Sequence, residues 1–285
     1  MAHRQTHQHH QHQHGERPGY DEAGLAEILD LDAEVSGAYL DEVIAWLAAH
    51  VDRQPGTIVD LGAGTGPGSL ALARRFPTAD LVAVDRSAVM LDRLAAAAQA
   101  QGVGDRIRGV QADLDDTWPG LTDVDLVWAA LSLHEVADSE RVLTDVHSAL
   151  KPGGLLVVTE MEGLPRFLPD DLGVGRPGLE RRCHALLLES GWNAHPDWRV
   201  QLEKTGFDVI DQRTFQVEGR TTPQRTAHYA RTYLRRIRSA LEDRLSAEDL
   251  RTLDRLLSAE GFAAVLGHED LIVRGTRTGW LVRRP

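Results

Sequence analysis

Between residues 55 and 217, short continuous apolar runs alternate with longer segments whose apolar residues recur at helical spacing. The runs occupy 57–61, 80–84, 106–111, 124–130 and 155–160, and the helical segments 66–76, 87–101 and 138–150. A run that is apolar at nearly every position belongs to a strand buried on both faces. Alternation with helices predicts an α/β domain built on a doubly wound, mostly parallel sheet. Upstream, Val35, Tyr39, Leu40, Val43, Ile44 and Leu47 trace a helical stripe through 33–50. Residues 20–54 are therefore expected to be helices preceding a sheet domain that spans 55–285.

The alternation breaks twice. Residues 162–195 hold proline, glycine and charge, then a helical run from Leu179 to Leu188. A helix over 197–205 ends at Lys204-Thr205-Gly206, and a strand over 207–217 follows. Residues 219–268 are expected to be mostly helical. Thr222-Pro223 is a helix start, Tyr229, Tyr233, Ile237 and Leu241 recur every fourth position, and Ser246 caps a helix with Leu250, Leu253, Leu256 and Leu257 on one face. Both segments read as helical insertions. The end of the chain is expected to form two short strands around a hairpin-like turn at Arg274-Gly275-Thr276-Arg277-Thr278-Gly279. Residues 1–19 alternate histidine with glutamine and carry almost no apolar residue. Such a tail cannot bury enough surface to offset the entropy of ordering and is expected to be disordered, with metal binding as the sharper alternative.

The chemistry concentrates where the first strand meets its helix, in Ile58-Val59-Asp60-Leu61-Gly62-Ala63-Gly64-Thr65-Gly66-Pro67-Gly68-Ser69. Glycine at alternate positions permits left-handed backbone and lets a ligand approach with no side chain in the way. The following helix offers its unpaired N–H groups. A nucleoside-containing ligand is the first expectation. A dinucleotide fingerprint needs G-x-G-x-x-G, but Pro67 and Ser69 stand where its third glycine would fall.

Composition narrows the classes. The 285 residues are 42% hydrophobic and 26% charged, an ordinary globular balance, and the net charge is −12. That charge argues against a general nucleic-acid or anionic-membrane binder. Cys183 is the only cysteine, which excludes an intramolecular disulfide and suits a reducing, cytoplasmic setting. No apolar run approaches the ~18 residues of a membrane span, and the N-terminus lacks the apolar core of a secretion signal.

The loop, as acid-x-G-x-G-x-G, resembles the first motif of the class I S-adenosylmethionine-dependent methyltransferases, of the small-molecule type. The segments downstream strengthen the resemblance. Asp85 ends the second strand, Asp113 follows the third in Gln111-Ala112-Asp113-Leu114, residues 128–138 follow the family form after the fourth, and Lys151-Pro152-Gly153-Gly154 precedes the fifth. The resemblance implies a seven-stranded sheet whose last strand is antiparallel. It implies S-adenosylmethionine as methyl donor, with Gly62, Ala63, Gly64 and Gly66 under the ribose and methionine and Asp60 supporting them. Asp85 would accept from both ribose hydroxyls, Arg86 would lie along the adenine, and Asp113 would accept from its amino group. Met90, Leu114, Ala129 and Ala130 would complete the cofactor site. The two insertions fall where such enzymes carry a cap over the substrate, and residues 20–54 would help cover the cofactor.

The acceptor side is less defined. A hydroxyl acceptor is helped by a general base and a neutral amine needs none. His134 and Glu160 are the candidate catalytic residues, with His184 and His195 as other possible bases. Glu162, His184, Trp192, Tyr229 and Tyr233, with His134, are the candidate substrate-binding residues. Tyr229 and Tyr233, at helical spacing, read equally as core. No metal-ligand spacing occurs in the globular part. Arg231, Arg235, Arg236, Arg238 and Arg244 read as a solvated helix face or a homodimer contact. The expected function is methyl transfer to oxygen or nitrogen of a small molecule. An NAD-dependent oxidoreductase and a non-catalytic or metal-binding protein using the histidine tail are the alternatives.

Overall fold

Each apolar run becomes a strand of one sheet, and the segments between them become its covering helices. The computed structural model describes residues 22–219, 222–258 and 271–285. In chain order the elements are α1 (Glu22–Val35), α2 (Gly37–Ala48), β1 (Thr57–Leu61), α3 (Pro67–Arg75), β2 (Asp80–Asp85), α4 (Ala88–Ala100), β3 (Ile107–Gln111), β4 (Val124–Ala130), α5 (Ser139–Ala149), β5 (Leu150–Met161), α6 (Leu179–Glu189), α7 (Trp198–Thr205), β6 (Asp208–Gly219), α8 (Pro223–Ala240), α9 (Ala247–Leu257) and β7 (Val273–Arg283). The histidine-rich segment 1–19 and residues 259–268 of the second insertion lie outside the described residues.

The seven strands form one sheet in the order β3-β2-β1-β4-β5-β7-β6. β1 to β5 pair in parallel, and β7 runs antiparallel between β5 and β6. The reversal between β1 and β4 puts the carboxyl ends of these two strands beside each other, the crevice where open α/β sheets bind ligands. A dinucleotide-binding sheet runs 3-2-1-4-5-6, so the inserted antiparallel strand sets this topology apart.

The start of β5 contains Lys151-Pro152-Gly153-Gly154. Lys151 Nζ donates to Asp125 Oδ1 at 2.8 Å, while Asp125 Oδ2 accepts from the backbone of Gly56 and Thr57, each at 2.9 Å. The turn therefore ties the entrances of β1, β4 and β5 together at the end opposite the crevice.

One expectation is corrected. Residues 274–279 make no hairpin; they lie within the single long strand β7. A Cβ on Gly279 would meet Phe215 at 3.1 Å and Trp46 at 3.2 Å. This glycine serves close packing against aromatic rings and not a turn, and extended pairing with β5 and β6 on both sides satisfies the backbone.

Two apolar clusters cover the faces of the sheet. Val59, Val127, Val158 and Trp280 pack with α5 and α7, and Ile58, Trp128, Val157 and Phe215 pack with α2 and α3. A third cluster stands off the sheet, where Leu31 of α1, Phe167, Cys183 and Leu187 of α6, Tyr229 and Leu234 of α8 and Leu253 of α9 meet. It makes a helical layer beside the carboxyl end of β5 and the start of β7.

Candidate active site

The loop after β1 takes its shape from three glycines. Gly62, Gly64 and Gly66 have φ of +66°, +54° and +94°, the left-handed region that side chains resist. Packing forbids a side chain at two of them. A Cβ on Gly62 would lie 2.4 Å from Ser132 Cβ, and one on Gly66 would lie 2.5 Å from Leu94 Cγ. The loop is thus pressed between the end of β4 and α4. Gly62 and Ala63 donate their N–H groups to Val84 O at 2.8 and 3.0 Å.

Asp85 joins this loop to the next helix. Its Oδ2 accepts from Gly64 N at 2.8 Å and its Oδ1 from Ser87 N at 2.9 Å. A carboxylate offers about four lone-pair sites, so both oxygens keep capacity for further donors. Ser87 is the cap of α4, accepting from Met90 N at 3.3 Å.

Asp60 lies beneath the loop and is buried. Burial pushes its carboxyl up to about 7, opposed by the Ser69 hydroxyl and reinforced by the charge of Asp85. Ser69 Oγ donates to it at 2.6 Å. Its position makes it a support of the α3 start, which also needs Gly68: a Cβ there would sit 2.8 Å from Trp128 Nε1.

The ends of β3 and β4 complete this side. Asp113 is exposed, and its Oδ1 accepts from Asp115 N at 2.9 Å. Its neighbour Asp115 is used differently, accepting from Ala137 N at 2.7 Å. Met90 and Ala129 are buried, Leu114 and Ala130 half-buried, and Arg86 exposed. Leu131, directly after β4, has φ of +56°, a strained conformation for a branched side chain of the kind found at functional sites. Ser132 Oγ donates to Leu61 O at 2.7 Å, joining the ends of β4 and β1.

His134 and Glu160 come together. His134 Nδ1 lies 2.8 Å from Glu160 Oε2, and its Nε2 lies 3.4 Å from Glu135 Oε1. Burial alone lowers the imidazole, but hydrogen bonds and charge from Glu135 and Glu160 outweigh it and raise His134 to about 10. Glu160 is the stronger partner, since it is fully buried and Glu135 is exposed. Glu160 Oε1 is buried without a hydrogen-bond partner, and such a group in a crevice is poised for another donor. Glu162 is exposed and accepts from the Thr278 hydroxyl.

The remaining candidates sit in the helical layer. Tyr229 and Tyr233 pack against Phe167 with centroids 4.9 and 5.2 Å away, and the Tyr229 hydroxyl donates to Asp32 Oδ1 at 2.9 Å. His184 is buried, and burial together with the charge of Arg166 lowers it to about 4. Trp192 packs on the outer side of the layer under the Arg236 guanidinium, 5.6 Å from its ring centroid. His195 stacks on Trp198 and meets Met161 O at 3.1 Å. Apart from His195, which lies beside α7, these side chains are distributed through the layer, in contrast to the His134–Glu160 pair. Sequence reasoning passed over Arg277, buried on β7 and paired with Asp32 of α1. Its expected place in a turn concealed it. Among the described residues no group of three His, Cys, Asp or Glu side chains is arranged to hold a metal ion.

Residues 58–154 match the family model of a methyltransferase domain. Over 104 residues the chain is 38% identical to trans-aconitate 2-methyltransferase of Variovorax paradoxus, covering 35% of this chain and 37% of that protein. Over 118 residues it is 35% identical to tRNA 5-carboxymethoxyuridine methyltransferase of Escherichia coli, covering 41% and 43%. The chain thus spans less than half the length of these relatives. In fold it is similar to phosphoethanolamine N-methyltransferase 2 of Haemonchus contortus, solved with phosphomonomethylethanolamine and S-adenosylhomocysteine, with a TM-score of 0.55 at 16% identity over 93% of this chain and 58% of that one. The matched segment runs from β1 to the start of β5 and so contains the glycine loop, Asp85 and His134. Over residues 58–154 the chain thus carries a methyltransferase domain, and its sheet has the fold of the class I S-adenosylmethionine-dependent methyltransferases.

Proposed function

We propose that this chain transfers a methyl group from S-adenosylmethionine to oxygen or nitrogen of a small-molecule acceptor. The observation that carries the reading is the glycine loop closed onto Asp85 at the sheet's reversal point. Asp85 retains acceptor capacity on both oxygens and suits the paired hydroxyls of a ribose. Asp113 and Leu114 suit the adenine, and Asp60 supports the loop from below. S-adenosylmethionine supplies an electrophilic methyl carbon on a sulfonium.

The protein's contribution is chiefly position, which supplies roughly 7–11 kcal/mol in favourable model reactions. Glu160 fixes the His134 ring through Nδ1, leaving Nε2, opposed only by the exposed Glu135, for the acceptor. At neutral pH the ring is an imidazolium. It then donates a hydrogen bond that stabilises an acceptor oxygen as its anion, the acceptor's own proton having passed to water, without first acting as a base. Leu29 of α1 lying against Gly64 and His195 meeting Met161 O at the end of β5 support a partly covered site and so a small acceptor. The net charge of −12 weighs against a nucleic acid. The antiparallel β7 and the absent third glycine weigh against NAD.

Calorimetry with S-adenosylmethionine, S-adenosylhomocysteine and NAD tests the reading. Both sulfur nucleosides are expected to bind and NAD is not. Failure of both sulfur nucleosides to bind removes it.

A further inference from the structure

A second polar cluster lies on the opposite face of β5 from Glu160, where α1, α2, α8 and β7 converge. Its centre is Arg277, which faces Met161 across the β5–β7 pairing. The guanidinium Nη2 donates to Asp32 Oδ1 and Oδ2 at 3.0 and 2.8 Å. It also lies 4.6 Å from the Tyr39 ring centroid. Asp32 accepts in addition from the hydroxyls of Tyr229 at 2.9 Å and Ser36 at 3.3 Å. Two more buried hydroxyls, Tyr39 and Thr159, complete no hydrogen bond. A cavity of about 10 Å³, bounded by Asp32, Arg277, Met161 and Thr276 among others, adjoins the cluster.

This is a carboxylate-binding arrangement, because it already holds a carboxylate. It has donors to spare, since the buried hydroxyls of Tyr39 and Thr159 face each other and Arg277 without completing a hydrogen bond of good geometry while Asp32 is in place. The carboxylate comes from an element with a light hold on the protein. α1 buries only Ala26, Leu31 and Val35. Its other ties are Ile28, half-buried against the layer, and ion pairs of partly exposed side chains: Asp30 with Arg93, Glu27 with His228 and Glu34 with Arg225. Such pairs are individually weak in water. The same helix also covers the glycine loop, for a Cβ on Gly64 would lie 3.2 Å from Leu29 Cδ1.

We propose that Arg277, with Tyr229, Tyr39 and Thr159, binds a carboxylate of the methyl acceptor, and that Asp32 of α1 fills this pocket until the acid displaces it. The proposal rests on the methyltransferase reading and narrows the acceptor to a carboxylic acid. Exchange of one carboxylate for another keeps Arg277 paired, whereas a second acid beside Asp32 would leave a buried negative charge uncompensated. Displacement of Asp32 moves α1, and with it Leu29 leaves the glycine loop. Acceptor and donor binding are thereby coupled through one helix.

Malonate, succinate and phenylacetate, with malonamide as uncharged control, are titrated calorimetrically into full-length protein with and without saturating S-adenosylhomocysteine. Asp32→Asn keeps the shape of the internal occupant and removes its charge. It is expected to bind at least one acid about tenfold more tightly than the wild type, with malonamide unaffected. Arg277→Gln is expected to abolish acid binding. The double variant Asp32→Asn/Arg277→Gln, neutral at both positions, is expected to melt cooperatively, bind S-adenosylhomocysteine and still refuse the acids. Equal affinity of wild type and Asp32→Asn for all three acids overturns the proposal. So does a loss of S-adenosylhomocysteine affinity in Arg277→Gln with no loss for 5′-methylthioadenosine, which lacks the amino-acid carboxylate, because the pocket then serves the donor. Wild-type protein that binds no S-adenosylhomocysteine removes the methyltransferase reading, while the acid titrations without it still report on Arg277.

Discussion

The donor side and the helical layer are built by different means. Around the glycine loop the contacts stay within one strand–helix–strand unit and mostly involve the backbone: Gly64 N to Asp85, Ser87 N to Asp85, Gly62 N to Val84 O. In the layer the decisive contacts join remote side chains. Asp32 meets Tyr229 and Arg277 across 197 and 245 residues, and Glu34 meets Arg225 across 191. Similarity to methyltransferases follows the same division, since the family match covers 58–154 and leaves out α1 on one side and α6, α8 and α9 on the other. Methyl donation is one chemistry and can be served by one backbone device. Acceptors differ, and the side chains that meet them are free to differ as well.

The comparison is tested most severely at Gly66. Gly66→Val forces a side chain into left-handed backbone and against Leu94, at a cost on the order of 3 kcal/mol or more. It is expected to abolish S-adenosylhomocysteine binding and lower the melting temperature. Unchanged binding would mean that the loop is not the donor cradle. Asp85→Ala comes next. It removes a carboxylate that ties the loop and would receive two ribose hydroxyls, and hydrogen bonds to charged groups contribute about 1.5–3 kcal/mol each. A fall in donor affinity of roughly 100-fold or more is expected by calorimetry, and near-native affinity would take Asp85 out of the site.

Glu160→Gln probes the boundary between the two regions. Methyl transfer is expected to fall about 100-fold with donor affinity retained, and parallel loss of both would place Glu160 in the scaffold. The His134–Glu160 pair also has a pH signature. The imidazole is raised from 6.5 to about 10 in the folded protein. Its stabilisation is complete below the unfolded value and is lost as pH rises through the folded one, because the unfolded chain releases the proton first. Wild-type stability should therefore decline across that window, and His134→Asn should flatten the slope in urea titrations at several pH values.

The smallest effects come from the layer's tyrosines. Tyr229→Phe breaks a buried hydrogen bond to a carboxylate and is expected to cost about 1.5–3 kcal/mol. Tyr233→Phe keeps the ring contacts with Phe167 and is expected to stay within about 0.5 kcal/mol. Equal costs for the two would contradict the assignment of Tyr229 to the Asp32 cluster.

Much of the donor side was readable in the chain. Continuous apolar runs marked β1, β2, β4 and β5, and Gly62, Gly64 and Gly66 marked the turn, because strand burial and left-handed backbone each demand particular residue types locally. The structure brings Asp60, Asp85 and His134 to the carboxyl ends of adjacent strands, as their places after apolar runs implied. The reading of Gly275 and Gly279 as turn residues failed for a related reason. Glycine has two uses, φ freedom and close approach, and only the neighbours Trp46 and Phe215 show that Gly279 serves the second.

What the sequence by itself determined was the order of strands and helices, the glycine turn and the acids at the strand ends, since backbone sterics and apolar periodicity act over a few residues. The tertiary structure alone decided the rest. It inserted β7 between β5 and β6, paired His134 with Glu160, set Leu29 over Gly64 and closed Asp32 onto Arg277. Those are contacts between side chains far apart in the chain, and no local pattern encodes which buried charge finds which partner.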